Sequence, residues 1–243
     1  MKPTLTGRRS FIKSATAFTG AMAGLSFLPT TTWGNPLTTD STNATNTNPA
    51  GIALPPLPGP PANDLNIIGP KEGYSPQIGT LVSMMAWLRP QVIGSIKDLT
   101  VEQLDFLFDA KANTIGAMAF HLAAINAFYH EHTFKNLEWG KWDQSVSDKF
   151  MTAALLGDDA RKKIKGNTAD YYINILHETR ESTLEEFRKR DDQWLATVDD
   201  KWPWGPTNTH CKWFHVCEHE SHHLGQIALV RSRVPGLKPA ENG

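Results

Sequence analysis

Near the C-terminus stands Trp213-Phe214-His215-Val216-Cys217-Glu218-His219-Glu220-Ser221-His222-His223-Leu224-Gly225-Gln226-Ile227. Breakers bound it, Trp202-Pro203-Trp204-Gly205-Pro206 upstream and Pro235-Gly236 downstream. Thr207 and Asn208 are cap candidates at one end, and Arg231 and Arg233 suit the negative pole at the other. The pattern predicts one helix from about Asn208 to Ser232. At about 3.6 residues per turn, Cys211, His215, His219, His223 and Ile227 share one row, with Gln226 beside it.

His215 and His223 lie about 12 Å apart along such an axis, at about 1.5 Å per residue, so the three imidazoles cannot meet at one ion. A pair four residues apart can, given a further ligand from another helix. His219 with His223 is the better pair, because Glu220, Gly225 and Gln226 cluster round it while His215 has Cys211 as its other neighbour. A single buried histidine more often just hydrogen-bonds in a core; a ladder of three favours a metal. His219-Glu220-Ser221-His222-His223 also matches HExxH, where the glutamate is a protease's general base. The extended protease pattern would need Gly and His where Gln226 and Leu229 stand, and the only later carboxylate side chain is Glu241, so the protease is the lesser reading.

The start of the chain has a different character. Arg8-Arg9-Ser10-Phe11-Ile12-Lys13 precedes an Ala- and Gly-rich apolar run from Ala15 to Leu28, too short and too weakly apolar for a stable bilayer span. It resembles a twin-arginine export signal, expected over residues 1–34 and implying a bacterial protein sent to the periplasm or beyond. Residues 35–69, rich in Thr, Asn and Pro, read as a disordered tether. Residues 70–236 are long enough for one domain with a substantial core, and 237–243 for a flexible tail. A net charge of −1 offers no electrostatic case for nucleic acid or an anionic membrane surface. Cys211 and Cys217 would sit about 9 Å apart on one helix, beyond disulfide reach.

The domain reads as helices throughout. Ile78, Leu81, Val82, Met85, Leu88, Val92 and Ile96 recur at helical spacing, with Pro90 expected to kink or break the helix near Arg89. Leu99-Thr100-Val101-Glu102-Gln103 looks like a capped turn. A second helix is expected over about Lys111 to His132, with His121 on its buried face, the one off-helix histidine placed to complete a site. The stretch 133–166 reads as an excursion with a short helix from about Ser145 to Leu156. A third long helix is expected over about Thr168 to Val198; Arg180 interrupts its apolar stripe, either paired to a glutamate or serving as a substrate-anion contact. Together these predict an all-α, antiparallel four-helix bundle with an excursion between helices two and three.

His121-Leu122-Ala123 in the second helix, Arg180 to Leu184, Pro203-Trp204-Gly205, and His215 followed by His219-Glu220, His223 and Gly225-Gln226-Ile227 together resemble the DinB family of metal-binding four-helix bundles. The resemblance covers nearly all of Tyr74 to Arg233. It implies one divalent cation per chain on His121, His219 and His223, with His215 and Gln226 supporting those ligands from outside, and Asn126 where the family often has glutamate. Three imidazoles favour zinc, nickel or iron over magnesium or calcium. The resemblance further implies a metal-dependent enzyme acting on a small-molecule substrate, by thiol transfer or by hydrolysis, or else a metal-binding module without turnover; a homodimer through a helix face is a further expectation. An exported location weighs against thiol transfer, since small reduced thiols are scarce outside the cytoplasm.

Overall fold

The computed structural model describes residues 64–237. The predicted signal, nearly all of the tether and residues 238–243 of the tail lie outside the described residues. The described α-helices, after a 3-10 turn at Asp64–Asn66, are α1 (Pro76–Ile96), α2 (Val101–Leu104), α3 (Ile115–Phe134), α4 (Gln144–Leu155), α5 (Gly157–Lys163), α6 (Ala169–Phe187), α7 (Asp192–Ala196) and α8 (Thr209–Arg231). Two-residue strands β1 (Val198–Asp199) and β2 (Thr207–Asn208) pair antiparallel before α8. The fold is all-α, and no described helix is long and apolar enough to cross a membrane.

Four long helices form the bundle: α1 packs on α8, α8 on α3, α3 on α6, and α6 back on α1. Residue pairing gives their directions. Arg231 Nη1 donates to Ser95 O, so α1 and α8 end together and run parallel. Gly116 meets Tyr172 and Phe134 meets Phe187, so α3 and α6 also run parallel. His121 with His219, and His132 with Lys212, set α3 against α8 in opposite directions. The bundle is thus antiparallel between its two pairs. The excursion makes this order work, because α4 and α5 carry the chain from the end of α3 back to its start before α6 begins.

The caps follow the sequence. Asn208 accepts from Cys211 N (2.8 Å) at the start of α8, Thr114 from Ala117 N (3.1 Å) at α3, and Thr168 from Tyr171 N (3.3 Å) at α6. Each satisfies a backbone donor that the first turn leaves open. Thr100 and Gln103 form the capping box foreseen for the turn after α1. Three expectations need correction. Pro90 does not break α1: the carbonyl it frees, that of Ala86, lies on the exposed side, and Gln91 Nε2 donates to Trp87 O (3.0 Å). The third long helix stops at Phe187, because Asp191 caps a separate α7 through Trp194 N (2.8 Å). Asp192 then accepts from Ser75 Oγ (2.6 Å) and Gln77 N (3.0 Å), placing a carboxylate at the start of α1 that a continuous helix could not deliver. The excursion also holds a second helix, α5, after Leu156 at φ 52° and Gly157 at φ 72° turn the chain.

The core is two apolar clusters at opposite ends of the bundle. One gathers Val92, Ile96, Ile115, Tyr172, Leu176, Ile227 and Val230, the other Ile78, Leu81, Met85, Tyr129, Phe187, Trp213 and Val216. Between them every long helix contributes buried polar side chains: Arg89, His121 and Asn126, Arg180, and Glu220 with His223. Polar groups buried at mid-bundle must find partners or be used.

Candidate metal centre

His121 stands in the second turn of α3, and His219 and His223 stand one turn apart on the facing side of α8. One nitrogen from each lies within 4.8 Å of the other two. The ring centroids are 5.0 Å apart for His121 and His219, 4.7 Å for His121 and His223, and 4.6 Å for His219 and His223. His121 Nδ1 donates to Ala153 O (3.0 Å), near the end of α4, which places the proton on Nδ1 and leaves the Nε2 lone pair facing His219 Nε2 at 2.8 Å. A metal-binding histidine is commonly held this way, with its remote nitrogen tied to a carbonyl. His223 Nδ1 is buried without a hydrogen-bond partner.

Burial keeps these rings neutral. It lowers His121 to about 4, against weaker upward pulls from the Ala153 and Ala154 backbone. His223 falls to about 3, through burial and then the neighbouring His121 and His222. His219 is driven lower still, by burial and then by the other histidines. Neutral imidazole is the form that ligates a cation, and an imidazole-only set suits zinc, nickel or iron while leaving coordination positions for other groups. The donor set, the oriented His121 and the unpartnered His223 nitrogen all fit one divalent ion.

Glu220, the would-be general base of the HExxH match, faces elsewhere. It is 2% exposed, and its Oε1 accepts from Arg89 Nε (3.1 Å), from Arg89 Nη2, and from Arg180 Nη2 (2.6 Å). Burial alone would raise its carboxyl, but the two guanidiniums together outweigh burial and hold it below the usual carboxylate range. Arg89 Nη1 also donates to Leu176 O, so α1, α6 and α8 are tied at one point. Asn126 joins α3 to α6 through Thr183 Oγ1 (2.6 Å) and Thr179 O (3.3 Å). Arg180, the alternative substrate-anion contact, is therefore the partner of a glutamate, 6% exposed.

His215 lies beside the trio, its ring 5.3 Å from that of His219, with Nδ1 3.1 Å from Glu218 Oε2. The Gln226 amide nitrogen lies 2.9 Å from His222 Nε2, at the exposed edge of the same turn. The sequence reading missed Arg89, Glu220's role and the Ala153 carbonyl. Arg89 carried a signal, since it breaks the Ile78-to-Ile96 stripe as Arg180 breaks that of α6; a backbone carbonyl carries none.

A DinB-like helical bundle with a three-histidine group is thus the class that fold and site define. The chain belongs to the mycothiol-S-transferase family, whose model matches residues 80–236, from within α1 to just past α8. No protein of curated function matches the chain.

Proposed function

We propose that this protein is a metal-dependent S-transferase, joining the sulfur of a low-molecular-weight thiol to a small electrophile beside His121, His219 and His223. The observation that carries this reading is the convergence of three neutral imidazoles from two facing helices, one of them oriented by Ala153 O. Membership of a family described as mycothiol-S-transferases supports the reaction class. A divalent cation on these nitrogens would lower the pKa of a nearby thiol, giving thiolate at neutral pH. The chain's own residues do the rest. The α4 carbonyl holds His121 in one tautomer, and the apolar clusters on either side limit water. His215, with Nδ1 tied to Glu218, keeps Nε2 as the lone-pair nitrogen that receives the thiol proton. A carbon–sulfur bond then forms as the electrophile's leaving group departs with its electron pair.

A module that binds metal without turnover is the second reading, and the capture of Glu220 by two arginines favours it, since it removes the carboxylate that HExxH would use as base. Export through the Arg8-Arg9 segment is also proposed; it favours this second reading, since small reduced thiols are scarce outside the cytoplasm, and N-terminal sequencing of the mature protein tests it. Elemental analysis of the chain, purified without chelator, is the first experiment. About one zinc, nickel or iron per chain, lost in His121→Ala and His219→Ala, supports the centre. Thiol-dependent conjugation of a chromogenic alkylating agent, lost in the same variants, supports the transferase, whereas metal without conjugation favours the binder. A folded wild-type chain from metal-replete cells that holds no metal refutes both.

A further inference from the structure

The chain from α7 to α8, residues 197–208, forms a short strap closed by the β1–β2 pair and by Thr209 N donating to Thr197 O (3.0 Å). A group of three side chains ties it to the bundle. Lys212 of α8, 3% exposed, donates from Nζ to Asp199 Oδ2 of the strap (2.7 Å) and to His132 Nε2 of α3 (2.7 Å). The same ammonium lies 4.4 Å from the Trp202 ring centroid. His132 Nδ1 donates to Leu137 O (2.7 Å), so Nε2 carries the lone pair that the lysine needs. His132 is therefore neutral while the group holds. It lies about 16 Å beyond His121 along α3, at about 1.5 Å per residue, away from the imidazole centre.

A proton on Nε2 removes that acceptor and sets an N–H against the lysine ammonium. Leu137 O still fixes the ring, and the acceptor for the new N–H becomes Asp199 Oδ2, 3.4 Å away. Asp199 Oδ1 is already taken by Lys201 N (2.9 Å), so one carboxylate oxygen would face two cations. The surrounding charges do not offset this. Glu138 of the 134–139 loop and Lys201 of the strap, of opposite sign, line the hollow beside the group, and α7 brings the indole of Trp194. Glu131, next to His132 on α3, is bonded to Lys135. A nearly buried ammonium that loses an acceptor is costly to keep, and the hollow gives it a way to water.

The strap also carries Trp204, 52% exposed, whose ring lies 4.9 Å from that of His215, itself 5.3 Å from His219. We propose that His132, Lys212 and Asp199 form an acid-released latch, which holds the strap and the Trp204 indole against His215 at neutral pH and frees them when His132 takes up a proton. The direction agrees with the surroundings of His132: burial lowers it from the usual imidazole range against the pull of Leu137 O, with Lys212 adding to the fall and Asp199 opposing it. The latch's contribution is complete above the unfolded value, about 6.5, and is lost as pH falls from there through the folded one. Burial would raise Asp199, but the bonds from Lys212 and Lys201 N hold it below the usual carboxylate range, so it stays charged through that window. The latch goes beyond the transferase reading, and its test reads the strap alone.

Hydrogen exchange of the full chain, followed by mass spectrometry from about pH 7.5 to about 4.5 and corrected for the intrinsic pH dependence, tests it. Amides of 198–208 exchange about threefold or more faster at the acid end, while those of 78–92 in α1 keep their protection. In His132→Gln, whose amide oxygen accepts from Lys212 but does not titrate, the strap stays protected across the range. In Lys212→Met it exchanges fast at both ends. The fluorine NMR signal of 5-fluorotryptophan at position 204, assigned with Trp204→Phe, shifts with the same midpoint in the wild type and stays in place in His132→Gln. Circular dichroism verifies that each variant is folded, and the wild-type response alone is enough to refute the latch. Strap exchange indifferent to pH, an acid loss of protection shared equally by α1, or an acid response retained in folded His132→Gln overturns the proposal.

Discussion

Replacing Glu220 by glutamine removes a negative charge buried at mid-bundle while keeping its volume. In the native chain Oε1 receives three hydrogen bonds from two guanidiniums, and Arg89, Arg180 and Glu220 are 5%, 6% and 2% exposed. Burial and the second arginine already pull Arg89 down to about 10, so the cluster has little tolerance for losing its anion. Leaving two buried cations unpaired costs about 3–5 kcal/mol, a large share of the roughly 5–15 kcal/mol that stabilises a domain. At about 2–4 °C per kcal/mol for a chain of this size, Tm falls by about 6–20 °C. The sign with pH follows from Glu220's depressed pKa. Its contribution is present above the unfolded carboxylate range and is lost as pH falls through the folded pKa, so the gap between wild type and Glu220→Gln narrows in acid. Adding Arg89→Met to the glutamine variant recovers part of the loss. Thermal unfolding followed by circular dichroism reads all three proteins; a Glu220→Gln Tm within about 2 °C of wild type, under one kcal/mol, would refute the argument.

The two cysteines separate by reactivity. Burial pushes Cys217 up to about 12, while Cys211 is exposed; iodoacetamide at about pH 8 should therefore mark only Cys211 in the native chain and both after unfolding, as mass spectrometry will report. In the metal-free chain, unfolded imidazoles take up protons near 6.5 but folded His121 only near 4 and His223 near 3. Stability therefore falls as pH drops from about 6.5 toward 4, and urea unfolding that shows the chain gaining stability over that window would contradict it. Gly116 leaves no room for a methyl group, since a Cβ would lie 2.6 Å from Tyr172 Oη and 2.7 Å from Cζ. Gly116→Ala should cost about 1–3 kcal/mol by overpacking, read as a lower urea midpoint.

Helix α8 was legible nearly to the residue, because Asn208 caps one end, Pro235-Gly236 closes the other and the histidine ladder has helical period. The same periodicity put His121 on a buried face of α3. Helices α1 and α6 departed from expectation for different reasons. Pro90 signals a local break that the exposed side of α1 absorbs, and the break after Phe187 exists because Asp192 is needed at the start of a helix far away in sequence. The first depends on knowing which side of α1 is packed, and the second lies outside the window over which a local pattern is read.

The sequence by itself determined the helical class, the row of histidines on α8 and the candidate partner His121, because helix period and capping are properties of neighbouring residues. Only the tertiary structure decided what each polar group does once buried. It turned Glu220 from a candidate base into the anion between Arg89 and Arg180, and tied His121 to the carbonyl of Ala153, thirty-two residues away. It also brought Lys212, Asp199 and His132 from three segments into one hydrogen-bonded group. The physical reason is desolvation: a buried polar atom must take whichever partner the packed helices bring within about 3 Å, and chain spacing does not encode that choice.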